Sequence, residues 1–585
     1  MMRKKVKGTR ILAAVLTAAM VFTQAPYTAL AAESEAGFVI VKNETEQAGQ
    51  ADDGNNGETG ENGDVSGSDE TGDMPGDNGE NGGTGETGDV SDGNGETGDV
   101  SDGDGETGDV SGPDSEASVS GNDIAVYGAA ATATGTLTVE GNSGSYSYDA
   151  EKDVITVKNG ANLTFHSADG YGKENPSQTR IFVEKDAKAT LTLDGVYINV
   201  SDKGVSPLEI AEDSTGAVSV VLKGSNALTA GEKAAGIQKN GTAEGTLTIS
   251  GSGTLNAQGG EYGAGIGGGY CGVGSNITIT GGIITATGGD GGAGIGGGDS
   301  RDGNDISISG GTVTATGRGT KSDIGGGIGG STGTVTITGG SVKTTNGALT
   351  GVTNGTDNVY YTVVDLTEEF GIEAVVTEVG ETAYGMKDVR TDADGKIYMY
   401  LPVDENGTTI VFGKHFYSGT VSAEAGADNR LTRSTECKYS LLVLGDPAYY
   451  ERNESTQGIL IKDGADLIIK SANGYGKDNY SSMRIQIEEN ASVILTLDGA
   501  YMDASAIPYI SSPILISENS TGNVNIILKG ENGLKAGRYY AAIQKDGDAE
   551  DIGTLTISGS GALIAQGGKQ GAGIGGGHEK AGNNI

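Results

Sequence analysis

Two short loops of this chain carry the residue types best suited to hold a ligand. Asp169-Gly-Tyr-Gly-Lys-Glu174 recurs as Asn473-Gly-Tyr-Gly-Lys-Asp478. A tyrosine set between glycines has little side-chain cover on either side. A sugar ring can stack on such a phenol while a neighbouring ammonium and carboxylate bond its hydroxyls. Tyr171, Lys173, Glu174, Tyr475, Lys477 and Asp478 are therefore the candidate carbohydrate-binding residues. The plainer alternative is that each tyrosine covers an open end of a core and the glycines only make the turn.

Other chemistry is harder to assemble. Gly263-Ala-Gly-Ile-Gly-Gly268 fits the G-x-G-x-x-G pattern of dinucleotide sites. That pattern needs a following helix and an acidic residue about 20 positions on. Here no helical periodicity follows, and the loop recurs at Gly292 and Gly571. Polysaccharide-cleaving enzymes need clustered carboxylates, or calcium beside a basic residue. The repeats offer no Asp-Asp pair, Gly-His-Gly or Arg-x-Lys. His166, His415 and His578 fall in separate modules. The expectation is a protein that is not an enzyme, with no catalytic residue, cofactor or metal ligand. Cys271 and Cys437 are the only cysteines, and their separate positions argue against a disulfide.

The elements that position these residues follow from one repeat. Ile237, Ile266, Ile295 and Ile324 are each 29 residues apart, in glycine-rich loops such as Gly263-Ala-Gly-Ile-Gly-Gly-Gly269. A constant step means one structural unit laid on the next. A single repeat reads Thr246-Leu-Thr-Ile-Ser250, a Gly-Ser-Gly turn, Thr254-Leu-Asn-Ala-Gln258, then the glycine loop. Alternating β-branched and hydroxyl residues mark strands with one face inward. Three short strands per coil, all running the same way, predict an all-β, right-handed parallel β-helix. About eight coils, stacked about 4.8 Å apart, would span 135–347.

A larger repeat lies above the coils. Leu191-Thr-Leu-Asp-Gly195 recurs as Leu495-Thr-Leu-Asp-Gly499, and Asp213-Ser-Thr-Gly216 as Asn519-Ser-Thr-Gly522. The predicted domains are a β-helix over 124–351, a small β-sandwich or meander over 352–434 and a second β-helix over 435–585. Ile585 matches Ile277 inside a strand, so the second copy is expected to be truncated. In the middle module, 360–364, 372–376, 396–401 and 409–412 read as antiparallel strands, and the module as an interaction or spacer unit.

The N-terminus reads as an export signal over 1–31: basic residues, an apolar run from Ile11 to Phe22, then Ala29-Leu-Ala31. The apolar run is too short for a comfortable membrane span. Residues 32–123 read as a disordered acidic linker. Between Glu44 and Asp123 there are 24 acidic residues and no Lys or Arg. Such a segment has too little to bury to offset the entropy of ordering. The formal net charge of −41 is largely local to it and argues against nucleic acid as a partner.

Ala189-Thr-Leu-Thr-Leu-Asp-Gly-Val-Tyr-Ile198, Ser214-Thr-Gly, Asn226-Ala-Leu-Thr, Ala235-Gly-Ile and Leu247-Thr-Ile-Ser-Gly-Ser-Gly-Thr-Leu255 carry a resemblance. Over most of 135–350 and 440–585, the chain resembles the exported carbohydrate-binding β-helix proteins of Firmicutes and their glycine-loop relatives on gut bacterial surfaces. The resemblance implies a right-handed β-helix, a cell-surface setting and non-catalytic binding of acidic or cellulosic polysaccharide, with calcium. The family's acidic Ser-Lys-Asp-Asp-Leu turn is here Gln238-Lys-Asn-Gly, without carboxylates. Neither its calcium site nor its ligand is carried over. The resulting expectation is a secreted or cell-surface carbohydrate-binding or adhesin-type protein whose partners are polysaccharide, cell-wall or host glycans. The alternatives are a structural stalk whose middle module mediates interactions, and an exported polysaccharide lyase.

Overall fold

The computed structural model describes residues 39–43, 132–318, 322–404, 407–435, 437–506, 512–547 and 553–585. The segment expected to be an export signal, 1–31, and that expected to be an acidic linker, 32–123, apart from 39–43, lie outside them. Among the described residues there is no α-helix. The chain builds a parallel β-solenoid of about 14 turns in two stacks, with a small sheet module between them.

One coil shows how. Leu247–Gly251, Thr254–Gln258 and Ile266–Gly267 form three faces. Each pairs in parallel with the coil above: Leu247 with Ile277, Leu255 with Ile284, Ile266 with Ile295. Inward residues alternate with outward ones, so Leu247, Ile249, Leu255 and Ala257 are buried. On the third face the glycine-loop isoleucines form one column. It runs Ile155, Ile181, Leu208, Ile237, Ile266, Ile295, Ile324, all fully buried. The second stack repeats it with Ile459, Ile485, Ile514, Ile543 and Ile574. Burying each such side chain contributes roughly 1.5–3 kcal/mol.

The glycines of the third face let neighbouring backbones touch. Gly296 has φ +127°, and a Cβ there would sit 2.1 Å from the Gly325 carbonyl oxygen. No other residue fits that approach. The repeated Ser-Thr-Gly motif is a clasp between coils. Ser214 Oγ accepts from the Asp186 amide at 2.9 Å, and Ser520 Oγ from the Asn490 amide at 3.0 Å.

Three features of the stacks differ from the sequence expectation. Gly274–Thr287 and Gly303–Thr316 are continuous strands that carry two faces around the Gly-Gly corner through a register irregularity. The double glycine bends the strand without ending it. Not all strands run the same way: each stack is headed by an antiparallel coil. Tyr146–Asp149 pairs antiparallel with Val154–Val157, and Tyr450–Asn453 with Gly458–Ile461. This reversal covers the first strand edge of each stack, which would otherwise invite pairing with another chain. Finally, Val39–Asn43, inside the segment expected to be disordered, pairs in parallel with Ala562–Gly567. Its run of Val, Ile and Val suits a strand and stands ahead of the acidic stretch.

The middle module is a six-stranded, mainly antiparallel sheet built from Val359–Asp365, Val379–Gly380, Lys396–Pro402, Thr408–Phe412, His415–Gly419 and Arg430–Arg433. Ile397, Met399, Ile410, Phe412 and Tyr417 form its core. The strand expected over 372–376 is irregular: only Val375 makes an isolated bridge, and Ile372 is exposed. The module docks on both stacks. Against the first, the Tyr398 amide donates to Ser341 Oγ at 3.0 Å, and Lys343 Nζ lies 2.8 Å from Asp392. Against the second, the Gly445 amide donates to the Val379 carbonyl at 2.9 Å, and Lys470 sits between Glu378 and Asp498 at 2.8 and 2.9 Å.

Burial alone would raise the Asp392 pKa, but hydrogen bonds from Lys343 and Tyr398 hold it down to about 2. Its folded pKa lies below its unfolded value. The stabilisation is therefore in place above the ordinary carboxylate range and is lost as pH falls through about 2. Asp392→Asn should flatten the acid limb of the melting-temperature profile and leave its neutral-to-alkaline shape unchanged. An unaltered acid limb would contradict this assignment. In denaturant unfolding, Ile295→Ala should lose about 2–5 kcal/mol through the cavity it opens in the column. A loss below about 1 kcal/mol would contradict a continuous packed column.

Candidate binding site at the head of the second stack

The two Gly-Tyr-Gly-Lys loops share one geometry. The Tyr171 amide donates to the Ala168 carbonyl, the Gly172 amide to Asn175, and Asn175 Nδ2 to the Gly170 carbonyl, each at 2.9 Å. In the second stack the same bonds run from Tyr475 to Ala472, Gly476 to Asn479, and Asn479 Nδ2 to Gly474. An asparagine just past each motif closes the loop. It lay one residue beyond the segment singled out from the sequence. Gly170 and Gly474 are needed for positive φ, +86° and +85°. Gly172 and Gly476 are not: their φ is not positive, and a Cβ at either would meet nothing within 4 Å. The space beside each tyrosine is open.

Tyr171 is 39% exposed and Tyr475 38%. Neither is among the buried or partly buried members of the stacks' hydrophobic clusters. Lys477 lies 3.6 Å from Glu531, both well exposed, a pairing that contributes little. The structure does not join the candidate residues into one site, because the two loops belong to different stacks.

Tyr475 differs from Tyr171 in what it faces. It lines a cavity of about 520 Å³ with Tyr439, Arg452, Asn453, Glu454 and Met483. Lys477 and Asp478 are not among its walls. Matching positions in the first stack are tied together. Tyr148 OH donates to Asp153 at 3.0 Å, Thr179 Oγ1 donates to Asp153 at 2.7 Å, and the Thr136 amide donates to Thr179 Oγ1 at 2.9 Å. In the second stack Tyr148 becomes Arg452, Thr179 becomes Met483, Asp153 becomes Gln457 and Gly135 becomes Tyr439. That hydrogen-bonded cluster is replaced by an aromatic and a cation.

The new groups are fixed in place. The Arg452 guanidinium lies 4.1 Å above the Tyr439 ring. Its Nε donates to Glu381 at 2.8 Å and its Nη2 to the Leu441 carbonyl at 3.1 Å. Tyr439 OH donates to Glu454 at 3.3 Å. The Cys437 thiol, raised in pKa by burial, donates to the Asn473 carbonyl at 3.1 Å at the root of the Tyr475 loop. Aromatic and polar walls around a few hundred Å³ make a pocket of small-ligand size.

The remaining chemical candidates have structural roles. Ala264 and Ile266 of the glycine loop are fully buried under the next coil, leaving no cradle for a phosphate. His166 Nδ1 bonds the Asp194 carbonyl at 2.8 Å, and His578 stacks on Tyr539. His415, itself largely buried, is held between Glu369 and the exposed Arg433, 46 positions after the one and 18 before the other, a trio that no spacing could reveal. Cys271 and Cys437 are free thiols. Among the described residues, no group of three or more His, Cys, Asp or Glu is placed to hold a metal ion, and no helix is long and apolar enough to cross a membrane. On the first flat face, Asn162, Thr190, Ser219, Thr248, Thr278, Ser307 and Thr336 form an outward polar row in strict register.

Comparison with known families agrees with the architecture. Residues 247–270, 277–299, 306–332 and 555–578 match the family described as a beta helix repeat. These segments contain the glycine-loop coils of both stacks. No curated protein and no solved structure matches the chain.

Removing the loop clasp should have a local effect. Asn479→Ala should speed amide exchange at Tyr475 and Gly476, while the melting temperature shifts by no more than about 2 °C. Unchanged exchange at those amides would contradict the clasp.

Proposed function

We propose that this is a secreted or cell-surface, non-catalytic carbohydrate-binding protein of adhesin type, built on a duplicated right-handed β-helix. The observation that carries the reading is Tyr475: an exposed phenol between open glycines, on the wall of a cavity that also holds Tyr439 and Arg452. Phenol faces offer sugar rings an apolar surface, and the amide, carboxylate and guanidinium groups around them offer hydrogen bonds. The row of outward hydroxyls supplies a flat surface along which a glycan chain can lie. Export rests on the pattern of residues 1–31. Polysaccharide, cell-wall or host glycans are the proposed partners.

A second reading is favoured by the ion pairs that fasten the middle module to both stacks. A rigid stalk would need such joints, and the module between them would then recognise the partner. Its signature would be host or matrix binding that survives loss of both loop tyrosines.

The test is a glycan panel probed with the wild-type chain and with Tyr171→Ala plus Tyr475→Ala. At least one glycan should bind, and the double variant should lose about tenfold or more in affinity. No binder on the panel, or equal affinity in the two proteins, would overturn the carbohydrate reading.

A further inference from the structure

One arginine of the second stack lacks the partner that its counterpart keeps in the first. Arg180 opens the strand Arg180–Val183, and its Nη2 lies 2.8 Å from Glu209 Oε2 on the next coil. Arg484 opens the matching strand, Arg484–Ile487. The registers agree: Ile181 pairs with Leu208, and Ile485 with Ile514. The residue after Leu208 is Glu209, whereas the residue after Ile514 is Leu515. The guanidinium is kept and its carboxylate is replaced by an aliphatic side chain.

Arg484 is nevertheless only 7% exposed. Its Nε and Nη1 are shielded from solvent, and neither has a hydrogen-bond partner; Arg180 shares the unpartnered Nε, so the orphaned Nη1 is what sets the second stack apart. Burial lowers its pKa, yet an arginine stays charged in proteins. The guanidinium lies over Gly458, where a Cβ would stand 3.9 Å from Nε and Nη2. Beside it opens a cleft of about 300 Å³, walled also by Asn453, Thr456 and Gln486. The one carboxylate on that wall, Glu451, is paired with Lys462 at 2.6 Å. Arg452 and Asn453 line both this cleft and the Tyr475 cavity, so the two are contiguous.

A buried cation with free donors is costly unless an anion meets it. The planar guanidinium fork matches a carboxylate, and the first stack shows a carboxylate in this position. We propose that Arg484 anchors a subsite for the carboxylate of an acidic sugar whose ring occupies the adjoining tyrosine cavity. The carboxylate makes the contact that Glu209 makes in the first stack, so this subsite is specific to the second. The choice of a sugar as carrier rests on the carbohydrate reading above; the anion site itself does not.

The test is thermal unfolding of the full chain with acetate, glucuronate, N-acetylglutamate or neutral glucose, at matched ionic strength and pH. Three proteins are compared: wild type, Arg484→Met and Leu515→Glu. Glucuronate at about ten times its Kd should raise the wild-type melting temperature by about 2 °C, and glucose should raise it less. Arg484→Met should lose the glucuronate increment without a lower starting melting temperature. Leu515→Glu should raise the starting value and lose the increment, because the chain then supplies its own carboxylate. An increment that persists in either variant would overturn the proposal, as would none in the wild type with any carboxylate. Loss of stability in Arg484→Met with the increment retained would make the arginine structural. Stabilisation by acetate and N-acetylglutamate alone would keep the anion site and refute the sugar as its carrier. Glycan binding that is equal in all three proteins would keep the carbohydrate reading and refute the role of Arg484.

Discussion

Each coil sets its inward aliphatic side chain on that of the coil before, Ile266 on Ile237 and under Ile295, through parallel backbone pairing in unbroken register. Everything else in the stacks obeys this constraint. The step of 29 residues is the perimeter of one coil. Glycine is forced wherever two perimeters touch, as at Gly296, because a side chain there would enter the next carbonyl. Hydroxyl and amide side chains such as Ser214, Asn226 and Asn532 bind one coil to the next at the corners. The Gly-Tyr-Gly-Lys loops leave the coil at a corner, just after Ala161–Ser167 and Asp466–Ser471. The scaffold thus fixes where a ligand group can stand before it fixes which one.

The two stacks share a frame and differ at their heads. In the first, Tyr148, Asp153 and Thr179 satisfy one another, and Arg180 has Glu209. In the second, Arg452, Gln457 and Met483 stand in place of the first three, and Leu515 in place of Glu209. The backbone course is unchanged, so the substitutions convert polar groups that face each other into groups that face a cavity. A polar group in a low-dielectric setting is costly when unpaired. Retaining Arg484 there is explained by a partner from outside the chain, and the open phenol of Tyr475 lies on the contiguous wall.

Much of this was legible in the sequence, for reasons tied to particular residues. The isoleucine step gave the column because an inward position recurs once per coil. The tyrosine loops stood out because both copies kept them. The antiparallel head coils were not legible, since a strand's direction leaves no mark on its alternation. Nor was the irregular course of 372–376, where apolar residues alternate but Ile372 finds no core to enter. The Asn175 and Asn479 clasps lay just past the motif, and the Glu369–His415–Arg433 trio joins residues far apart in sequence. The lost partner of Arg484 lay one coil away, 31 positions on, and becomes visible only when strand register aligns it with Glu209.

Of two equivalent frames, only the second should carry a ligand site at its head. Hydrogen–deuterium exchange with and without a glucuronate-bearing oligosaccharide tests it most directly. Exchange should slow across 439–457 and 475–486 and stay unchanged across the matching 135–153 and 171–182. Slowing of equal size at both heads, or at neither, would contradict the account.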